Sequence, residues 1–205
     1  CVKPKAQRTA IANRNPDNEA QPSNVAARMT TPTVIFSHGH ESSPQSRKIQ
    51  VLRPIAEQAG FTAEAIDYTD LRDEPVARRD RLIGRIDEID RPVVLAGSSL
   101  GGWVSMAAAE QTPVAGLWLM APALFMEDRV DGGEIPDAYA PRTGHIMVVH
   151  GWHDDIIPWH NSLKFAEASG ATLHLLADGH RLENSLISME RLFAEFLERV
   201  RDELN

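Results

Sequence analysis

The sequence predicts an α/β protein whose mostly parallel sheet of about six strands carries helices on both faces, and three observations point there. From Thr33 onward, short apolar runs alternate with longer amphipathic ones, as strands joined by crossover helices do. The run Val93-Val-Leu-Ala96 is short, uninterrupted and rich in β-branched residues, which suits a strand buried on both faces. Directly after it stand Gly97-Ser-Ser-Leu-Gly101 and a segment with Trp103, Met106 and Ala107, so the chain reads strand, sharp turn, helix.

Thr33 to Ser37 opens the sheet. A helix over Pro44 to Ala59 follows, introduced by Ser43 and Pro44 and stopped by Gly60, the expected start and stop chemistry. Thr62 to Tyr68 is the second strand, and Val76 to Ile89 has helical spacing at Leu82, Ile83, Ile86 and Ile89. After the Val93 strand comes a helix over Ser99 to Glu110. Ala115 to Met120, Ile146 to His150 and Thr172 to Ala177 are three further strands, with helices at Pro158 to Ser169 and Glu183 to Asp202. Between Pro122 and Gly144 the chain carries Gly and Pro without a sustained period. That is long for a structureless connection, so a lid, a binding loop or a plain surface excursion is expected there.

Composition narrows the class. The 205 residues, 42% hydrophobic and 24% charged, describe a soluble globular chain with one sizeable core. A net charge of −8 without a basic cluster argues against a nucleic-acid or anionic-membrane partner. No apolar run approaches the roughly 18 residues that cross a bilayer. One cysteine, Cys1, excludes an intrachain disulfide framework and a multi-cysteine zinc site and leads us to expect a reducing, cytoplasmic compartment. Residues 1–30 are polar, rich in Asn, Pro and Gln and without apolar periodicity. They read as a flexible arm before a single domain over 31–205, which is expected to begin near Met29. The arm lacks the apolar core of a secretory signal.

Glycines flanking Ser99 leave room for close backbone packing, and a serine on such a turn is held strained with its hydroxyl exposed. Whether it is a nucleophile depends on a base and an acid at neighbouring strand ends. The strand ending at His150 runs into His-Gly-Trp-His-Asp-Asp-Ile-Ile-Pro158, which offers Asp154 and Asp155; the last strand runs into Ala-Asp-Gly-His180. Hydroxyl, carboxylate and imidazole thus occur in the order Ser, acid, His at three carboxyl ends of one sheet. His145 and His174 lie before or within strands and are expected to be structural. Asp178 is expected to shape its turn. His150, His153 and His160 cluster with the two aspartates but lack a metal-ligand spacing, so caps and surface positions are expected and no metal. Residue chemistry alone leaves Asp154 and Asp155 equivalent. The first strand ends in Ser-His-Gly-His40, where the His40 amide and that of Leu100 are candidates for two oxyanion donors. Phe125, Met126 and Tyr139, with Trp103 or Trp152, are candidates for an apolar acyl pocket.

Taken together, SHGHESSP, GSSLGG, HGWHDDIIP and DGHR resemble the oxyanion loop, nucleophile elbow, acid loop and histidine loop of the α/β-hydrolase superfamily, in a small form without a cap domain. The resemblance runs from Thr33 to the C-terminus and is similar to small bacterial esterases of the YqiA type. It implies Asp154 as the acid, since that residue is the fourth after His150 and four before Pro158. The strands that usually precede the oxyanion strand are missing. The function expected is a serine hydrolase acting on a small-molecule acyl ester or thioester without a cofactor. Acyl transfer or C–C hydrolysis by the same residues, and a binding protein on an inactive hydrolase fold, are the alternatives.

Overall fold

The structure is a computed structural model that describes residues 31–126 and 135–204; the N-terminal arm and the middle of the 122–144 connection lie outside them. Six strands form one sheet: β1 (Thr33–Ser37), β2 (Thr62–Ile66), β3 (Val93–Ser98), β4 (Gly116–Met120), β5 (Ile146–Gly151) and β6 (Thr172–Leu176). Their spatial order is β2-β1-β3-β4-β5-β6 and every pairing is parallel. Among the described residues five α-helices connect and cover them: α1 (Arg47–Gln58), α2 (Pro75–Asp87), α3 (Leu100–Gln111), α4 (Trp159–Ser169) and α5 (Leu186–Leu204).

Strand alternation divides the core in two. Ile35, Leu95, Leu117 and Val148 face α2, α3 and α4, whose Leu82, Met106 and Phe165 meet them. Val34, Phe36, Val94, Trp118 and Val149 face α1 and α5 on the other side. The stripe Met189, Phe193, Phe196, Leu197 and Val200 of α5 is buried there. Each such side chain contributes about 1.5–3 kcal/mol of transfer free energy. α3 is buried almost all round, which explains its lack of a polar face.

Among the boundaries that differ from the sequence expectation, three have a local reason. α1 begins at Arg47 rather than Pro44, because Ser43 organises a turn first: its Oγ accepts the Gln45 N–H at 3.2 Å and its carbonyl the Ser46 N–H at 3.0 Å. β2 ends at Ile66 rather than Tyr68, where the Asp67 carboxylate accepts the Thr69 N–H at 2.8 Å and turns the chain. α5 starts at Leu186 rather than Glu183, after a turn in which the Ser185 N–H donates to the Leu182 carbonyl at 3.3 Å.

Candidate active site

Ser99 stands between β3 and α3 with φ 55° and ψ −120°, a conformation that costs a non-glycine residue on the order of 1–3 kcal/mol. Its surroundings hold it there. The Ser99 N–H donates to the Met120 carbonyl at 3.0 Å, and the Ser99 carbonyl accepts from Gly102, Trp103 and Ala123. The flanking glycines are required by space: a Cβ on Gly97 would lie 2.2 Å from the Gly101 carbonyl oxygen, and one on Gly101 only 2.1 Å from that of Ser37. The turn therefore packs directly against the end of β1.

Three strand ends bring their side chains together. His180 Nε2 lies 3.1 Å from Ser99 Oγ. Its Nδ1 lies 2.8 Å from Asp154 Oδ2. The Asp154 side chain is wholly buried and its other oxygen accepts the Ile156 and Ile157 N–H groups at 2.9 and 2.8 Å. Burial acts to raise the Asp154 pKa, but the bonds from His150, His180 and these two amides outweigh it and hold the carboxyl well below its ordinary range. Asp155, its neighbour, is exposed. Asp178 accepts the Gly179 N–H at 2.8 Å and so shapes the turn that presents His180.

His150 departs from the expected surface position. It is wholly buried, with Nε2 at 2.9 Å from Asp154 Oδ2 and Nδ1 at 2.7 Å from Ser162 Oγ. Its place as the penultimate residue of a strand buried from Met147 onward is the reason, and strand alternation held the signal. His153 and His160 are exposed. His145, at the opposite edge of the sheet, pairs with Glu203. Among the described residues no group of three or more His, Cys, Asp or Glu is arranged to hold a metal ion.

At the end of β1, Gly39 lies against the serine, since a Cβ there would sit 3.5 Å from that of Ser99. The His40 ring turns away to Asp73, its Nε2 at 2.6 Å from Oδ1. Leu100 is the first residue of α3, where helical geometry provides its amide no intrahelical acceptor. The connection after β4 starts at the nucleophile turn, where Ala123 bonds to Ser99, and Phe125 and Tyr139 lie on it with ring centroids 4.8 Å apart. Both rings are buried and Met126 is half-buried. Trp103 is buried in α3, whereas Trp152 is exposed.

Such a sheet, with a strained serine after its third strand and an imidazole and carboxylate delivered from later strand ends, defines the α/β-hydrolase class. Comparison with known proteins agrees. A model of an uncharacterised protein family, UPF0227, matches residues 33–133. A solved structure from Xanthomonas campestris pv. campestris, described as a candidate hydrolase of the alpha/beta superfamily, is 35% identical, with a TM-score of 0.71 over 82% of this chain and 98% of its own. The human palmitoyl-protein thioesterase ABHD10, mitochondrial, is 25% identical over 67% of this chain, which spans only 61% of that relative's length. The mouse alpha/beta hydrolase domain-containing protein 10 shares the fold at 22% identity, with a TM-score of 0.67 over 86% of this chain and 92% of its own. The chain belongs to the α/β-hydrolase superfamily.

Proposed function

We propose that the protein is a serine hydrolase that cleaves an ester or thioester through an acyl-enzyme on Ser99. The observation that carries this reading is the continuous path from Ser99 Oγ through both ring nitrogens of His180 to Asp154, at 3.1 and 2.8 Å. His180 Nε2 takes the hydroxyl proton as Oγ attacks the acyl carbon, then returns it to the leaving alcohol or thiol. Asp154, kept ionised by its four donors, fixes the ring tautomer and stabilises the imidazolium. The amides of Leu100 and His40 receive the oxyanion; one such donor is typically worth ~3–4 kcal/mol of transition-state stabilisation. Water, activated by the same ring, then releases the acid.

Phe125, Met126 and Tyr139 are the proposed acyl-side residues. Their apolar character and the bond that ties this segment to the Ser99 carbonyl support that assignment. The thioesterase named among the relatives makes a thioester as reasonable a substrate as an ester. No helix among the described residues is long and apolar enough to cross a membrane. A cytoplasmic location is proposed on the single cysteine, against the mitochondrial address in the relative's name; fractionation of cells carrying the full chain tests it.

A fluorophosphonate probe tests the chemistry. Labelling confined to Ser99 and absent from Ser99→Ala is the expected result, and a folded protein that takes no label overturns the reading. Turnover across matched esters and thioesters of increasing acyl length then assigns the bond and the chain.

A further inference from the structure

Arg78 is the one fully buried arginine among the described residues, 0% exposed on the first turns of α2. It stands in the helix's apolar stripe, four residues before Leu82 and eight before Ile86. Burial of a guanidinium is costly unless its N–H groups are satisfied. Here they reach the carbonyls that shape two loops: Nε to Leu71 at 2.8 Å, Nη2 to Arg72 at 3.1 Å and to His40 at 3.3 Å, and Nη1 to Gly39 at 3.3 Å. The guanidinium also lies 5.4 Å from the centre of the Tyr68 ring.

Gly39 is the residue whose backbone lies against Ser99, and its carbonyl has a second neighbour of consequence. His38 Nδ1 is 2.8 Å from that oxygen, while His38 Nε2 accepts the Tyr68 N–H at 3.0 Å. Only the neutral ring protonated on Nδ1 satisfies both bonds. Burial holds the ring below the ordinary imidazole range, the Arg78 charge works in the same direction, and the bond to Gly39 opposes them. The Gly39 carbonyl thus accepts from a neutral ring and a cation at once.

In a trans peptide the C=O and N–H bonds lie in one plane and point in opposite directions. Fixing the Gly39 carbonyl therefore fixes the His40 N–H, the donor assigned above to the oxyanion. A cation on the carbonyl also polarises the peptide and strengthens its N–H as a donor. We infer that Arg78 is a positioning residue for the reaction: through the carbonyls of Gly39 and His40 it aims and polarises the His40 amide that stabilises the oxyanion formed on Ser99. The inference rests on the serine-hydrolase reading of the site. Because the amide that Arg78 aims bonds an oxyanion that develops only in the transition state, its effect belongs there and not to substrate binding.

The experiment compares wild type, Arg78→Met and Arg78→Lys in the full chain, with melting temperature, kcat and KM on one ester. It adds the affinity of an alkylboronic acid, which forms a tetrahedral anionic adduct on the serine, and of a non-hydrolysable ether of the same shape. Removal of a single oxyanion donor lowers kcat by about 10²–10³-fold. Arg78→Met is expected to lose about 10²-fold in kcat and to bind the boronate correspondingly worse, with KM and ether affinity within about threefold of wild type. Arg78→Lys keeps charge without the fork and is expected to fall between the two. The proposal is overturned if a folded variant retains wild-type kcat and boronate affinity, or if boronate and ether weaken equally. It is likewise overturned if neither variant folds, which would assign Arg78 to the core alone. A wild-type protein that neither turns over ester nor binds boronate overturns the serine-hydrolase reading instead, and with it the proposal's premise.

Discussion

The loop carrying Asp154 and the loop of residues 37–40 flank the same serine, yet they are held by different kinds of contact. The Asp154 carboxylate takes two of its donors from amides two and three positions away and a third from His150, four positions back. His150 is itself anchored by Ser162, only 12 positions distant. The carboxylate's one long connection is the bond to His180, spanning 26 positions, while the loop's backbone also reaches the end of β6, where the Trp152 and His153 N–H groups donate to the Leu176 and Asp178 carbonyls at 2.8 and 2.9 Å. Residues 37–40 have the reverse arrangement. Ser37 reaches Tyr68 across 31 positions, His38 the Tyr68 amide across 30, His40 Asp73 across 33, and Gly39 Arg78 across 39. The first loop sets its carboxylate mostly from its own sequence, with its backbone tied to the end of β6. The other is shaped by the segment from β2 into α2, so damage to it can originate far from the chemistry.

The largest effect expected from substitution falls on the two residues that the loops converge upon. Ser99→Ala and His180→Ala should each abolish measurable turnover, a loss on the order of 10⁵-fold or more, with the double variant little worse, because members of one catalytic unit fail together. Ester hydrolysis by purified variants of unchanged melting temperature checks this. A Ser99→Ala protein that keeps most of the activity would sink the proposed function.

Asp154→Asn comes next and tests the self-contained loop. Turnover should fall by ~10⁴-fold through loss of the correct ring tautomer, while Asp155→Asn, on the exposed neighbour, should stay within a few-fold. The same pair carries a pH signature. Asp154 titrates below its ordinary value, so its ionised form stabilises the fold above the unfolded carboxyl value of ~3.9, and that contribution is lost as pH falls through the lower folded value. The stability gap between wild type and Asp154→Asn, read from urea midpoints, should therefore narrow below about pH 4. A gap that widens in acid would contradict the assigned direction.

Gly101→Ala sharpens the comparison from the other side. The new Cβ would collide with the Ser37 carbonyl oxygen at 2.1 Å, a backbone atom at the root of the second loop. A cost on the order of 3–5 kcal/mol is expected, at the upper end for a single overpacking change, together with loss of fluorophosphonate labelling. Normal labelling at wild-type stability would mean that the turn and β1 are not in this contact.

Ser162→Ala should have the smallest effect. It leaves His150 Nδ1 without its 2.7 Å partner in a buried site, at about 1–3 kcal/mol. Turnover should drop less than about tenfold, since Asp154 keeps its two amides and His180. A loss comparable to Asp154→Asn would show that His150 controls the acid more tightly than the local bonds suggest.

The alternation of strands and helices and the serine turn could be read from the sequence because each is a property of a short window, and the order Ser, acid, His because each of its three motifs is local. The run 93–96 is apolar throughout since both faces of a parallel strand are covered, and the glycines at 97 and 101 announce a close approach before its partner is known. The choice of Asp154 over Asp155 came from motif resemblance, and the tertiary structure supplies a physical correlate: one carboxylate is buried on His180 and the other faces solvent. Two residues stood apart from what the sequence suggested, one for a local and one for a remote reason. His150 looked like a surface histidine and is buried between Asp154 and Ser162. Arg78, inside the polar stretch Arg78-Arg-Asp-Arg81, was not singled out, although its register with Leu82 and Ile86 placed it inward. Hydrophobic pattern specifies which face of an element is buried; which loop a buried cation then holds depends on how α2 packs beside β1, and only the folded sheet brings those two together.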